Sequence, residues 1–161
     1  MTSLSFLTSL LLFVQINQPN KYLIDLENRA IAGIRGDDTI EQIRKKVGRT
    51  NVRQITEELE DQPIKAYVIS IGGHTITKDF GSFAVEDSIF KTKEGLGVGS
   101  KIAEFTKYYP KLITSDSDNE YLTFMSANEK TQFMVKVAVG CYQRLSNGEI
   151  PGDCVVKEIR F

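Results

Sequence analysis

The sequence predicts an α+β fold dominated by antiparallel strands, with two short helices. Three observations carry this. Runs of β-branched and aromatic residues alternate with polar ones between glycine turns, as in KAYVISI, GG and HTITKDF from Lys65 to Phe80. Apolar residues at helical spacing, followed by a stop signal, occur at Ile40, Ile43, Val47 before Gly48 and at Ile102, Phe105, Tyr109 before Pro110. The length, 161 residues, suits one domain with its own core.

The N-terminus reads differently from the rest. Residues 1–18 carry no charged side chain, and Leu4 to Val14 is nearly all apolar. Such a run is too short to cross a hydrocarbon layer of roughly 30 Å as a helix and suits the apolar region of a signal peptide. No Lys or Arg precedes it and no A-x-A site follows, although Gln15 to Gln18 is a polar exit; a buried N-terminal helix is the alternative. No Cys stands near its end, so no lipid-attachment site is expected. The expected organisation is a signal peptide over 1–18 and one β-rich α+β domain over 21–161, with no transmembrane span in the mature chain.

Within that domain, Lys21–Leu26 and Arg29–Ile34 read as short strands, and Gly33 and Gly36 mark a turn. Asp37 or Asp38 is the expected helix cap, with Glu41 three residues after Asp38 in the capping-box position. The helix runs over about Thr39–Val47. Asn51–Leu59 fits either a helix or a strand, and Asp61-Gln62-Pro63 breaks the chain. Lys65–Ile71 and His74–Phe80 form a hairpin about Gly72-Gly73, since two glycines accept the positive φ angles of a primed turn. A turn at Gly81-Ser82 leads into a strand over Phe83–Phe90.

The chain is organised around Asp87–Pro110, which reads as strand, glycine-rich loop and helix. Ser100 is its expected cap. An acidic loop, Ser115–Glu120, precedes strands at Tyr121–Met125 and Gln132–Val139, separated by a turn at Ala127–Lys130. Cys154–Phe161 closes the chain as a strand with Val155, Ile159 and Phe161 on one face. Gly33-Ile34 and Ile40, Ile43, Val47 recur 62 residues later as Gly95-Leu96 and Ile102, Phe105, Tyr109, an echo that suggests an internal duplication.

Cys141 and Cys154 flank a segment with Asn147-Gly148 and Pro151-Gly152 turn signals. The spacing is not a zinc pattern, and in an oxidising compartment the two form a disulfide. Such a bridge stabilises by about 3 kcal/mol in the chain-entropy model.

Charge and motif content exclude more than they assign. The net charge is −1 and the pI about 5.9, without the basic excess of a nucleic-acid binder. GLGVGSK, Gly95–Lys101, is glycine-rich but matches neither the P-loop nor the dinucleotide pattern, so a structural loop is the expected reading. Asp116, Asp118 and Glu120 alternate but lack the remainder of a calcium loop. Arg44, Lys45, Lys46, Arg49 and Arg53 cluster, and Glu57, Glu58, Glu60 and Asp61 offset them. His74 is the sole histidine and has no nucleophile motif around it. Asp79, Glu86 and Asp87 are the carboxylates that could converge for hydrolysis. No catalytic, metal or cofactor residues are expected, and the protein is read as a non-enzyme.

The run Lys65–Tyr121 resembles the centre of a family of sigma-E-regulated envelope lipoproteins of unknown function from Gram-negative bacteria. In that pattern a strand, a glycine turn and a return strand lead to an acidic residue, here Asp87. A Thr-x-x-Gly-h-x-h-Gly element follows, here Thr92, Gly95 and Gly99, then a helix like Ile102–Tyr109. GIRGDDTIEQI and VVKEIRF resemble its opening helix and last strand, so the resemblance covers about Ile31–Phe161. A departure is the missing lipid-attachment Cys, which favours a soluble periplasmic or secreted protein. A fainter similarity is to small inhibitor and outer-membrane assembly modules that place a glycine-bounded helix before strands.

The resemblance implies a β-rich cell-envelope protein, and the residues add an expectation of binding rather than catalysis, with an unidentified envelope partner. The alternatives are a small-ligand or inhibitor module, with a groove at Gly95–Gly99 lined by Phe90, Phe105 and Tyr108, and a carboxylate hydrolase.

Overall fold

A computed structural model describes residues 20–59, 62–116, 121–138, 140–141, 144 and 153–161. The expected signal peptide, residues 1–18, lies outside them.

The described residues begin with three short strands, β1 (Leu23–Asp25), β2 (Ala30–Ile31) and β3 (Ile34–Arg35). The single strand expected over Arg29–Ile34 is in fact two, because Ala32 and Gly33, both at positive φ, fold it into a hairpin. Helix α1 (Ile40–Val47) follows and ends at Gly48, as the spacing predicts. Its cap is Thr39 rather than Asp37 or Asp38. The Thr39 hydroxyl accepts from the Gln42 N–H, and the Gln42 side chain accepts from the Thr39 N–H. Asp38 is already engaged by the Arg35 N–H and by Lys46 Nζ at 2.6 Å.

A 3-10 turn (Arg49–Asn51) leads into an antiparallel meander: β4 (Val52–Leu59), β5 (Gln62–Ile71), β6 (His74–Asp79) and β7 (Ser82–Val85). The ambiguous Asn51–Leu59 stretch is therefore strand from Val52; of the expected break Asp61-Gln62-Pro63, Gln62 and Pro63 open β5 and Asp61 lies outside the described residues. Gly72 and Gly73 both take positive φ in the expected turn. The strand expected to reach Phe90 stops at Val85. There the Asp87 carboxylate accepts from the Ile89 N–H and the Asp87 carbonyl from the Phe90 N–H, turning the chain away.

The second part repeats this order. β8 (Lys91–Thr92) pairs parallel with β1, the one parallel pairing among the described strands. Helix α2 (Ile102–Tyr108) precedes β9 (Leu112–Asp116), β10 (Tyr121–Met125), β11 (Gln132–Lys136) and β12 (Glu158–Arg160). β9 was not expected; it takes in the start of the acidic loop, whose residues 117–120 lie outside the described set.

Two sheets result. The smaller has the order β3-β2-β1-β8; the larger has eight strands in the order β4-β5-β6-β7-β12-β11-β10-β9. The larger sheet is thus two helix-led, four-stranded meanders joined through their last strands, β7 and β12. The internal echo in the sequence corresponds to this topological repeat.

Register fixes the faces. Val52, Ile69, Ile76, Val85, Ile159, Val135 and Leu122 form one row across seven strands, and all are buried. Phe83, Phe161, Phe133 and Phe124 lie on the same face. Helix residues Ile43, Ile102 and Phe105 and small-sheet residues Ile24, Ile31 and Ile34 complete a single core over it. Each large side chain buried there contributes about 1.5–3 kcal/mol of transfer free energy. Of the two valines in the last segment Val156 is the buried one, and Val155, expected inside, bridges to Lys101 instead.

The two cysteines are joined, with Cα atoms 5.7 Å apart. The bridge ties Cys141, just after β11, to Cys154, whose carbonyl accepts from the first helical N–H of α2, Ile102.

Candidate functional site

Because both helices and the small sheet cover one face of the eight-stranded sheet, the opposite face is open among the described residues. Its central row runs Arg53, Val68, Thr77, Ala84, Arg160, Met134 and Thr123, none of them buried. Strand alternation alone places these residues outward.

At the seam between the meanders this face carries a polar network. Arg160 Nε donates to Glu158 Oε1 at 2.9 Å, and Arg160 Nη1 donates to Asp79 Oδ2 at 3.1 Å. Tyr121 donates to the same Glu158 oxygen at 2.8 Å. Lys136 Nζ stands 5.6 Å from the centroid of the Tyr121 ring. Glu158 is almost wholly covered, while the Arg160 side chain keeps 31% of its surface. Burial works against the Arg160 charge, but Glu158, Tyr121 and Asp79 outweigh it and hold the guanidinium proton more firmly than usual. Burial and the Glu158 acceptor push the Tyr121 hydroxyl well up, so it stays a donor. One guanidinium thus locks β6 to β12 and fixes the aromatic and cationic groups around it.

A shallow hollow of about 260 Å³ lies beside this network, lined by Thr75, Thr77, Ala84, Glu86 and Asp87 among others. At its rim His74 Nδ1 is 2.7 Å from Asp87 Oδ2, with the Tyr22 ring edge-on to the imidazole. The Ile89 N–H, and then His74, lower the Asp87 carboxyl below its ordinary value.

Of the carboxylates singled out in the sequence, Asp79 stands apart, while Glu86 and Asp87 both line the hollow. Asp79 serves Arg160, Asp87 serves His74, and Glu86 lies near Asp87 on the hollow. Among the described residues no group of three His, Cys, Asp or Glu side chains is placed to hold a metal ion.

The glycine-rich loop is closed. The Gly95 N–H donates to the Thr92 carbonyl, Leu96 to Thr92 Oγ1, Gly97 to Ser100 Oγ, Gly99 to the Val156 carbonyl and Ser100 to the Gly97 carbonyl. These amides are spent inside the fold and do not face a phosphate. Ser100 does not cap α2, because its hydroxyl holds the loop. Lys101 occupies the cap position, and Glu104 accepts from its N–H at 2.7 Å. Phe90 and Phe105, expected to line a groove here, are fully buried. Tyr108 alone of the three is exposed.

The basic cluster also disperses. Arg44 pairs with Glu41, and Lys46 with Asp38 and the Gly33 carbonyl.

Two features were not anticipated. Glu158 and Arg160 flank buried Ile159 in a closing strand, and a polar residue on each side of a core position is the signal that marks an outward pair. Phe80 is 76% exposed at φ +32° in the β6–β7 turn, a conformation that a bulky side chain rarely takes. Its turn abuts Gly36, where an added Cβ would stand 2.9 Å from the Gly81 carbonyl oxygen.

No protein-family model matches the chain, and no curated protein matches it. Among solved structures it is similar to the uncharacterized protein yfeY from Escherichia coli, at 16% identity and a TM-score of 0.41, covering 68% of this chain and 80% of that one. No helix among the described residues is long and apolar enough to cross a membrane.

Proposed function

We propose that the protein is exported to the cell envelope and acts there by binding another macromolecule on the open face of its large sheet, without catalysis. The observation that carries this reading is the seam network, where Arg160 bridges Asp79 and Glu158 and sets Tyr121 and Lys136 on a face that nothing in the described fold covers. A broad face with fixed aromatic and cationic groups suits a protein surface better than an enclosed small ligand. The Cys141–Cys154 bridge supports export, since structural disulfides persist in oxidising compartments. The resemblance to sigma-E-regulated envelope proteins points the same way.

Two measurements in the native host test this. Intact mass should show loss of about twenty N-terminal residues and two cysteines that alkylate only after reduction. A full-length chain with two free thiols overturns the export. A photo-crosslinking residue at Thr123, on the open face, should give a discrete protein adduct, and one at Lys45, on α1, should not. Adducts from Lys45 alone, or from neither, overturn the binding face.

A further inference from the structure

The large sheet has two edges, and β4 forms one of them. β4 is eight residues long and carries no Pro and no bulge; of the devices that usually blunt an exposed edge it has only charges, Arg53, Glu57 and Glu58, which deter a partner strand only where they meet like charges. It is also under-supported. β5 pairs with β4 from Gln62 to Ile69, but with β6 only from Tyr67 to Ile71. Beyond fully buried Ala66, Thr56–Leu59 and Gln62–Lys65 therefore extend as a two-stranded ribbon past the third strand, an arrangement of marginal stability by itself.

We infer that β4 pairs antiparallel with β4 of a second copy, about a two-fold axis at Ile55. The argument is charge complementarity under symmetry. Arg53, Ile55 and Glu57 point to the open face, and neither Arg53 nor Glu57 has an ion-pair partner among the described residues. A two-fold perpendicular to the sheet keeps each side chain on its own face, so the axis must pass at a residue. At Arg53 or Glu57 it would set like charges opposite each other. At Gln54 it would set Arg53 against Ile55, and at Thr56 it would set Glu57 against Ile55. Only at Ile55 do opposite charges meet, as two Arg53–Glu57 pairs flanking an Ile55–Ile55 contact. The contact supplies each ribbon with a third strand and makes one continuous sheet from the two large sheets.

This inference is independent of the proposed binding partner. Its test is sedimentation of the purified protein from about 10 µM to 1 mM, the range suited to an interface smaller than the standard size. The native protein should dimerise reversibly. Arg53→Glu and Glu57→Arg should each weaken dimerisation about tenfold or more, since each turns both ion pairs into like-charge pairs. Mixed in equal amounts, the two variants should form a heterodimer, because opposite charges then face each other at both positions. That recovery also shows that both variants are folded. A native protein that stays monomeric throughout, single variants that dimerise as the native protein does, or a mixture that stays monomeric would each overturn the proposal.

Discussion

The two helix-led meanders share a plan and differ in what holds them. Both helices start at the same offset: Thr39 and Lys101 stand at the caps, Gln42 and Glu104 reach back to them, and Ile43 and Phe105 are buried one residue on. In the first half the cap is complete. In the second, Lys101 has no acceptor, and only the reverse hydrogen bond from Glu104 remains. The second half has instead an aromatic cluster. Phe133 stacks on Phe124 at 5.7 Å between ring centroids and meets Tyr109 edge-on at 5.0 Å, with Phe105 alongside. It also has the disulfide. One topology is thus stabilised locally in one half and by packing and a cross-link in the other.

The largest test of that contrast is Phe133→Ala. Removing the ring that touches three other aromatics should cost about 3–5 kcal/mol, read from a denaturant midpoint. Ile43→Ala, at the buried position of α1, should fall lower within the roughly 2–5 kcal/mol expected of such truncations. A reversed order would mean that the first half depends on its core more than its partner does. Next is reduction of Cys141–Cys154, whose partners stand 13 residues apart. It should cost about 3 kcal/mol in the chain-entropy model, seen as a lower melting temperature in reductant. An unchanged melting temperature would remove the cross-link from the contrast.

These differences also explain what could be read from the residues alone. Period and turn chemistry are local, so both helices, the Gly72-Gly73 hairpin and the buried alternation of Phe133, Val135 and Val137 were legible. The caps were displaced by one residue because tertiary partners took the obvious candidates: Lys46 holds Asp38, and the Gly97 N–H holds the Ser100 hydroxyl. β9 was illegible because Leu112–Asp116 has little pattern of its own and forms by pairing with β10. The seam network was hidden for a related reason. Asp79, Tyr121 and the Glu158–Arg160 pair lie far apart in the chain, and only the register of β6, β7, β12, β11 and β10 brings them together.

A smaller effect sharpens the contrast at the caps. Thr39→Ala should cost about 1 kcal/mol, because the Gln42 N–H loses its acceptor. Lys101→Ser should do the opposite, adding about 0.5–1 kcal/mol by supplying the hydroxyl that α2 lacks. Thermal melts of the two variants read both signs at once. A destabilised Lys101→Ser would show that the Lys101 side chain has a role that its cap position does not reveal.

The smallest expected effect concerns acid and again separates the halves. Burial alone would raise the Asp38 carboxyl, but hydrogen bonds from Lys46 and the Arg35 N–H, with the nearby charges of both side chains, bring it below its ordinary 3.8. A carboxyl depressed in the folded state stabilises the fold fully above its unfolded value. That contribution is lost as pH falls below 3.8 and through the lower folded value, because the unfolded chain takes up the proton first. Asp38→Asn should therefore lower the melting temperature at neutral pH and flatten its decline below about pH 4. The start of α2 has no ion pair of this kind among the described residues, and Lys46→Met, which takes the cation away from Asp38, should flatten the decline as Asp38→Asn does. If Lys46→Met left the acid limb as steep as in the native protein, the electrostatic anchoring of the first half would no longer distinguish it from the second.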